Sequence, residues 1–247
     1  MDMEDTTIME IRMIDIHSHL LFNVDDGSKS LEQSINILKD LESIGYTDII
    51  LTPHYIKDSK YNNTKDDNLK VLELLKKKVK KEKIKIKLYL GNEIFIDDDL
   101  QDLIEKGIIS SLNNSNYFLI ELPITGEYPN YEDIFMELIN NGYKVILAHP
   151  ERYYAFQKDF NKIYELEKIG VLFQSNLDSI IGGYGKNAKK MIRRLLKEKK
   201  ITFLATDIHH RKKNYNNWDK AKKIALKYIS EDEYENLTCL NAKKLLK

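Results

Sequence analysis

The feature that most restricts the fold of this chain is a repeated alternation of short apolar runs with amphipathic stretches. Both faces of a buried parallel strand are covered, so such strands form continuous runs of Ile, Val, Leu, Phe or Tyr. Runs of this type lie at 13–16, 48–52, 86–90, 117–122, 144–148, 171–175 and 201–206. In the first stretch between them, Leu31, Ile35, Leu38 and Leu41 have helical spacing and precede a stop signal at Gly45. The pattern predicts seven strands that alternate with helices.

Glycines mark the predicted ends of several helices. Gly107, Gly142 and Gly170 close their stretches as Gly45 does, as expected for a left-handed residue after a helix. Two further helical segments are predicted near 218–229 and 231–246. No linker rich in Pro, Gly or Ser interrupts the 247 residues. We therefore expect one α/β domain at 13–247 and interpret 1–12 as a flexible extension.

Composition and charge argue against several other classes of protein. Lys and Arg together number 39, as do Asp and Glu, so no net field attracts nucleic acid. The basic stretch at 76–87 is interpreted as a solvated helix face that runs into a strand, with a nucleic-acid patch as the alternative. No apolar run approaches the roughly 18 residues of a membrane span, and the acidic start does not resemble a signal peptide. With Cys239 as the single cysteine, we expect a cytoplasmic protein.

Every histidine of the chain comes just after an apolar run. The six are His17, His19, His54, His149, His209 and His210. The carboxylates Glu93, Glu121 and Asp207 occupy the same kind of position. In a parallel α/β barrel the carboxyl ends of all strands open on one face, so these side chains would meet there. An open sheet would spread them along a line, and the pattern therefore favours a (β/α) barrel.

This concentration of ligand-type side chains predicts a site for more than one metal ion. The carboxylates of Asp26, Glu93, Glu121 and Asp207 would repel one another unless positive charge lay between them. Imidazole and carboxylate without thiolate suit Mn²⁺, Fe²⁺ or Zn²⁺. The candidates exceed the roughly four to six ligands of one ion, so they predict two or three ions that share a carboxylate. Adjacent ions of this kind stabilise in-line displacement at phosphorus.

Motifs of other catalytic classes do not occur in the sequence. A GxSxG elbow, a P-loop and a GxGxxG fingerprint are all missing, and no phosphate-binding loop with arginine follows Cys239. A serine or cysteine nucleophile is therefore not expected.

Six motifs carry a resemblance to a known family. In chain order they are IDIHSH…DDG (14–27), LTPHY (51–55), GNEI (91–94), LIELP (119–123), AHPER (148–152) and ATDIHH (205–210). The sequence resembles the PHP (polymerase and histidinol phosphatase) superfamily. Within it, the chain is most similar to the metal-dependent protein-tyrosine phosphatases encoded beside bacterial capsule and exopolysaccharide genes. The DDG after the two histidines, the LIELP strand and the HPER sequence favour this branch over the histidinol-phosphate phosphatases, which often have histidines at the positions of Asp26 and Glu121.

The resemblance implies a distorted seven-stranded (β/α) barrel with three divalent ions, of which Mn²⁺ is the expected metal and Fe²⁺ or Zn²⁺ the alternatives. It assigns nine ligands in three groups: His17, His19, Glu93 and Asp207 for the first ion; Glu93, Glu121 and His149 for the second; Asp26, His54 and His209 for the third. Glu93 would bridge two ions. Glu93, Asp207 and Arg152 are expected to be the catalytic residues.

Two arginines are candidates for phosphate contacts. Arg152 matches a family position thought to contact phosphate, and its planar fork suits that role. The alternative interpretation of Arg152 is a surface ion pair with Glu151. Arg211 is a further candidate for binding substrate, although it comes earlier in the chain than the corresponding arginine of some relatives.

Three features near the motifs have simpler interpretations. Asp25 is interpreted as a turn residue that hydrogen-bonds the loop before Gly27, not as a ligand. His210 is interpreted as a residue at the rim of the site. The glycine-rich stretch 182–190 is interpreted as the entry of a helix, with guidance of a substrate as the alternative.

The expected function is hydrolysis of phosphotyrosine by attack of a metal-bound hydroxide, with a bacterial tyrosine kinase as the substrate protein. The alternative enzyme is a small-molecule phosphomonoesterase such as a histidinol-phosphate phosphatase. A PHP nuclease or proofreading module and a non-catalytic metal-binding scaffold that docks a kinase are the remaining hypotheses.

Overall fold

The computed structural model describes residues 12–210 and 217–247. The predicted extension at 1–12, apart from Arg12, and the predicted phosphate contact Arg211 lie outside the described residues. The described ranges contain the strands β1 (Met13–Asp15), β2 (Tyr46–Leu51), β3 (His54–Tyr55), β4 (Lys87–Leu90), β5 (Glu93–Phe95), β6 (Tyr117–Glu121), β7 (Lys144–Ala148), β8 (Leu172–Asn176) and β9 (Phe203–Ala205).

All seven predicted strands are present, and two short strands follow the second and the third. β3 begins two residues after β2, beyond Thr52 and Pro53, and β5 begins two residues after β4, beyond Gly91 and Asn92. Pro53 has no N–H and cannot donate a ladder hydrogen bond, which accounts for the first interruption. The side chain of Asn92 donates to the carbonyl oxygen of Pro53 at 2.9 Å and ties the two breaks together.

The strands form a ring in which all pairs are parallel. One sheet has the order β1-β2-β4 and the other β3-β5-β6-β7-β8-β9. The ring closes where the segments after β1 and β9 meet. There the N–H of His19 donates to the carbonyl oxygen of Ile208 at 2.8 Å, and the N–H of Asp207 donates to that of His17 at 2.9 Å. This architecture confirms the predicted single-domain α/β fold and agrees with a distorted (β/α) barrel.

Helices fill the connections between the strands. They are α1 (Leu31–Ser43), α2 (Lys65–Lys81), α3 (Leu100–Glu105), α4 (Tyr131–Asn140), α5 (Tyr154–Lys158), α6 (Asn161–Lys168), α7 (Leu177–Ile181), α8 (Gly185–Lys197), α9 (Trp218–Ala225) and α10 (Glu231–Glu235). The predicted helix stops at Gly45, Gly107, Gly142 and Gly170 all have positive φ. The predicted segment at 231–246 is divided into α10, a π-helical turn at Asn236–Leu240 and a 3-10 turn at Ala242–Leu245.

Local sequence explains where α1 begins and which face it buries. The hydroxyl of Ser30 accepts a hydrogen bond from the N–H of Gln33 and caps the helix. Ile35, Leu38 and Leu41 are buried on the face that packs against the ring. The lysines of 76–87 lie mainly on the exposed side of α2 and at the start of β4, as a solvated helix face predicts. Among the described helices, none has the length and apolarity needed to cross a membrane.

The barrel interior is apolar at its amino-terminal end. Alternate strand residues such as Ile50, Leu119 and Ile146 pack there on Cys239 and Leu245 of the C-terminal segment. The carbonyl oxygen of Leu245 accepts a hydrogen bond from Asn113, just before β6, so the segment closes this end. The polar candidate residues are therefore left at the opposite, carboxyl-terminal end of the strands.

Candidate metal centre

The structure brings all nine predicted ligands together at the carboxyl-terminal ends of the strands. His17 and His19 follow β1, His54 and Glu93 begin β3 and β5, and Glu121 ends β6. The remaining four come from loops: Asp26 after β1, His149 after β7, and Asp207 and His209 after β9. Eight of the nine fall into three groups of possible metal ligands, and His149 adjoins them through Glu93.

The innermost group is fully buried and consists of His17, His19, Glu93 and Asp207. The Nε2 atoms of the two histidines lie 3.2 Å apart. Oε2 of Glu93 is 3.2 Å from each of them. Oδ1 of Asp207 is 3.5 Å from Nε2 of His17 and 3.4 Å from Nε2 of His19. Four ligand atoms thus surround one small volume.

Hydrogen bonds on the far side of each ring determine what these atoms present to that volume. Nδ1 of His17 lies 2.8 Å from Oε1 of Gln174, and Nδ1 of His19 lies 2.7 Å from Oδ2 of Asp25. Because both partners are acceptors, each Nδ1 carries a proton, so Nε2 is the nitrogen that each ring presents to this volume. Once the Nε2 atoms have lost their own protons, two nitrogen lone pairs and two carboxylates would face one another, and a divalent cation between them fits this donor set.

The two carboxylate oxygens of Glu93 face different candidate ligands. Oε2 lies 3.1 Å from Nδ1 of His54 as well as near the innermost histidines, whereas Oε1 is 2.8 Å from Nε2 of His149. Oε1 of Glu121 is 3.6 Å from the same nitrogen of His149. This placement suits a carboxylate that bridges two ions.

The outermost group lies at the mouth of the site and contains His19, Asp26, His54 and His209. Oδ1 of Asp26 is 3.5 Å from Nε2 of His54 and 3.4 Å from Nε2 of His209. The ring of His209 stacks on that of His19 with their centroids 4.0 Å apart. Oδ1 of Asp26 and Nδ1 of His54 are buried, and their close contacts with the described residues do not have hydrogen-bond geometry, as expected of groups that bind an ion.

The pKa values of the cluster show how strongly its carboxylates need positive charge. Burial raises the pKa of Glu121 to about 9, and repulsion from Glu93 adds to this. Burial opposes the charged form of His17, but attraction to Glu93 and Asp207 outweighs it and raises the pKa of His17 to about 9. Without a cation the site therefore retains protons, and a bound metal would displace them.

Two of the candidate ligands have strained backbones. His149 has φ of 30° and Asp207 has φ of 51°, in the left-handed region that residues other than glycine rarely adopt. Such conformations cost about 1–3 kcal/mol each and persist where the surrounding structure enforces them. At Asp207, the backbone hydrogen bonds that close the barrel provide this constraint.

Arg152 lies at the edge of the site and does not pair with Glu151. Its Nη1 donates to Oδ2 of Asp207 at 3.1 Å, and its guanidinium lies 4.4 Å from the ring centroid of Tyr184. Glu151 is buried and accepts hydrogen bonds from the N–H of Asn176 at 2.9 Å and the hydroxyl of Ser179 at 2.6 Å. The alternative interpretation of Arg152 as a surface ion pair with Glu151 is therefore wrong.

The structure agrees with the simpler interpretations of neighbouring residues. Oδ1 of Asp25 accepts from the N–H of Gly27 at 2.8 Å, so Asp25 is a turn residue, and its Oδ2 in addition orients His19. His210 is exposed at the rim, with Nδ1 3.2 Å from the carbonyl oxygen of Asp26. Residues 182–190 form the entry of α8, as predicted.

Several residues that shape the site were not identified from the sequence. Gln174 and Asn176 are polar positions in or just after a predicted apolar strand, a departure from the pattern that could have marked them. Asp15 interrupts the first run in the same way and is fully buried. Nothing in the sequence distinguishes Tyr184, because it is one of 15 tyrosines in the chain and does not interrupt an apolar run.

Comparisons with known proteins agree with this geometry. The chain matches the family model described as capsular polysaccharide synthesis, CpsB/CapC, over residues 13–247. CapC of Staphylococcus aureus is 37% identical over 198 residues, which is 80% of this chain and 77% of that protein. The tyrosine-protein phosphatase YwqE of Bacillus subtilis is 32% identical over 237 residues, which is 95% of this chain and 92% of that protein.

A solved structure extends the likeness to the fold. It comes from the crystal structures of Bacillus subtilis YwqE and Streptococcus pneumoniae CpsB, described as unique metal-dependent tyrosine phosphatases. The match has a TM-score of 0.87 at 32% identity and covers 95% of this chain and 94% of that chain. This chain therefore belongs to the CpsB/CapC family.

Proposed function

We propose that this chain is a metal-dependent protein-tyrosine phosphatase, a hydrolase that releases inorganic phosphate from phosphotyrosine. The observation that carries the proposal is the buried cluster of His17, His19, Glu93 and Asp207, whose ligand atoms converge on one small volume as the ligands of a cation do. Bacillus subtilis YwqE, at 32% identity, and the solved YwqE and CpsB structures with the matching fold are tyrosine phosphatases.

The nine clustered residues would hold the ions, in the three groups that the resemblance implies. Three divalent ions per chain, with Mn²⁺ as the metal, match the number of groups and their mixed imidazole and carboxylate chemistry. When bound, such ions supply positive charge to phosphate oxygens and lower the pKa of water. Glu93 lies where its two oxygens could bind different ions. Asp207 could bind an ion through Oδ1 while its Oδ2 accepts hydrogen bonds from neighbouring side chains.

The side chains around the cluster would bind and orient the substrate. Arg152 lies at the edge of the cluster with a partly exposed guanidinium, and its fork can bind two oxygens of a phosphate. Tyrosine leaves with a pKa near 10, well below that of an aliphatic alcohol, so a strong general acid is less important than for alkyl phosphates. Arg152, Glu93 and Asp207 are the proposed catalytic residues.

The proposed substrate protein is a bacterial tyrosine kinase that controls capsule or exopolysaccharide synthesis. Support for this comes from the family description, which concerns capsular polysaccharide synthesis. The kinase would present a phosphorylated tyrosine to the mouth of the barrel, where Asp26 and His209 are accessible.

A comparison of substrates tests the proposal directly. Purified protein with Mn²⁺ should release phosphate from a phosphotyrosine peptide much faster than from histidinol phosphate. The opposite ranking would contradict the tyrosine-phosphatase assignment and favour the small-molecule phosphomonoesterase. Digestion of single-stranded DNA at a comparable rate would favour a nuclease instead.

A further inference from the structure

One oxygen of Asp207 has an unusual number of hydrogen-bond donors. Oδ2 accepts from Nδ2 of Asn176 at 2.6 Å, from Nη1 of Arg152 at 3.1 Å and from the hydroxyl of Tyr184 at 3.1 Å. Oδ1 remains for the innermost group. A carboxylate oxygen has two lone-pair directions, so three donors are one more than it accepts well.

Arg152 is the donor best placed to leave. Its side chain is 23% exposed, whereas that of Asp207 is 1% exposed. Asn176 ends β8 inside the barrel and is fully buried. An incoming phosphate dianion offers Arg152 two oxygens in place of one shared carboxylate oxygen. Asn176 and Tyr184 would then still hold Asp207.

Tyr184 touches both partners of this exchange with different parts of its side chain. It lies in the short connection between α7 and α8, where it is half-buried. Its hydroxyl holds Asp207, and the face of its ring carries the guanidinium of Arg152 at 4.4 Å from the centroid. A guanidinium on a ring face can turn without losing the contact, because a cation–π interaction depends little on rotation in the plane of the ring.

We propose that Tyr184 is a positioning residue with two separable actions: its ring supports Arg152 in reach of the substrate phosphate, and its hydroxyl keeps Asp207 in place when Arg152 turns away. The inference rests on the proposed phosphatase function. It assigns a role to the 182–190 segment beyond that of a helix entry.

Two substitutions at Tyr184 separate the actions. Tyr184→Phe keeps the ring, so the dissociation constant of inorganic phosphate, measured by calorimetry on the Mn²⁺-loaded protein, should stay within about twofold. Loss of the hydroxyl should lower kcat about fivefold with little change in KM. Tyr184→Leu also removes the ring, so it should weaken phosphate binding and raise KM, each about tenfold. If the Leu variant does not fold, Tyr184→Met gives the same comparison.

Control variants show whether a substitution at Tyr184 changes phosphate binding through Arg152 or in some other way. Tyr164 is a matched residue elsewhere, half-buried, bonded to Glu198 and lying under the cation of Lys200, so Tyr164→Leu should change neither constant. In an Arg152→Ala background, Tyr184→Leu should weaken phosphate binding no further. Unchanged phosphate binding in Tyr184→Leu, an equal loss without Arg152, or an unchanged kcat in Tyr184→Phe would overturn the inference.

The binding measurement keeps this inference distinct from the proposed function. A protein that binds inorganic phosphate through Arg152 and Tyr184 but does not hydrolyse a phosphotyrosine peptide would refute the function and retain the role of Tyr184. A protein that hydrolyses the peptide with unaltered phosphate binding in Tyr184→Leu would do the reverse.

Discussion

At the scale of residues, neighbours outside the cluster decide what the proposed ligands can do. Gln174 and Asp25 accept from the Nδ1 atoms of His17 and His19 and so turn both Nε2 atoms toward the same volume. Second neighbours of this kind typically contribute 10–100-fold to metal affinity. The proposed metal site therefore depends on the orientation of its imidazoles as well as on their number.

Glu93 is the single residue on which most of the cluster depends. Since its two oxygens face different groups, Glu93→Ala should release at least one ion and lower turnover more than about a hundredfold. Metal analysis and phosphate release on the same sample measure both effects. Cys239→Ser, at the apolar end of the barrel, is the control and should change neither. Turnover near that of the parent protein in Glu93→Ala would contradict the bridging role.

The raised pKa values predict how the metal-free protein responds to pH. A group whose pKa is higher in the folded chain binds more protons when folded, so stability falls as the pH rises between its two values. These windows run from 6.5 to about 9 for His17 and from 4.5 to about 9 for Glu121. Between pH 6.5 and 9, the melting temperature with chelator should fall by roughly 5 °C or more. Excess Mn²⁺ should remove this fall, and a metal-free protein that gains stability over this range would refute the account.

The candidate ligands could be predicted from the sequence, whereas the residues that orient them could not. His, Asp and Glu directly after apolar runs have few structural explanations, so His54 or Glu121 were identifiable by position alone. Gln174 reaches His17 across 157 positions of sequence. No local pattern encodes that contact, because it arises only when the ring of strands closes.

At the scale of elements, the site depends on the segment between β1 and α1. The N–H of Ser28 donates to the carbonyl oxygen of His19 at 2.9 Å, which folds this segment back on the histidines. Gly27 lies at the contact: a Cβ there would stand 2.0 Å from the carbonyl oxygen of His19. Glycine is needed for this close approach.

Substitution at Gly27 tests how far the loop holds the metal site. Gly27→Ala should lower the free energy of unfolding by about 2–3 kcal/mol and reduce the metal content, because the backbone at His19 must shift. Gly126→Ala is a useful control. Gly126 lies in an exposed loop with φ of 95°, which is unfavourable for alanine, but a Cβ there would contact no other part of the described chain within 4 Å, so the metal content should stay unchanged. Equal metal content in both variants would contradict this role of the loop. Unfolding in urea and elemental analysis provide the two measurements.

Ring closure depends on a buried aspartate that joins the first and last strands. Oδ1 of Asp15 accepts from the N–H of Thr206 at 3.1 Å, and Oδ2 accepts from its hydroxyl at 2.5 Å. Asp15→Ala leaves the N–H of Thr206 without this acceptor and leaves its hydroxyl only the carbonyl oxygen of His17 at 3.3 Å, so it should cost about 2–3 kcal/mol of unfolding free energy. Asp15→Asn keeps an acceptor and should cost less. Denaturant unfolding of both variants measures the difference, and equal losses would show that the hydrogen bonds to Thr206 are not the cause.

The strands were predictable, and their interruptions were not. Burial on both faces makes β6 and β7 continuous apolar runs, so their positions could be read from the sequence. The short strands β3 and β5 lie among polar and ligand residues, where the apolar pattern ends. They form because the neighbouring strands offer hydrogen-bond partners, as in the pairing of His54 with Glu93, and single-chain patterning does not contain that information.

At the scale of the whole molecule, the residues that stabilise the barrel and the proposed metal ligands lie at opposite ends of the strands. The amino-terminal end is filled by an apolar plug that includes Leu112 and Leu245, and the carboxyl-terminal end collects the imidazoles and carboxylates. The plug stabilises the ring, so the opposite end can accommodate strained backbone and mutually repelling carboxylates.

Elemental analysis of the purified protein, with phosphate release measured before and after chelation, tests most directly whether these side chains enclose a group of cations. We expect about three divalent ions per chain, loss of turnover on chelation and its recovery when Mn²⁺ is returned. Full turnover by a protein that contains no stoichiometric metal, before or after chelation, would contradict this expectation.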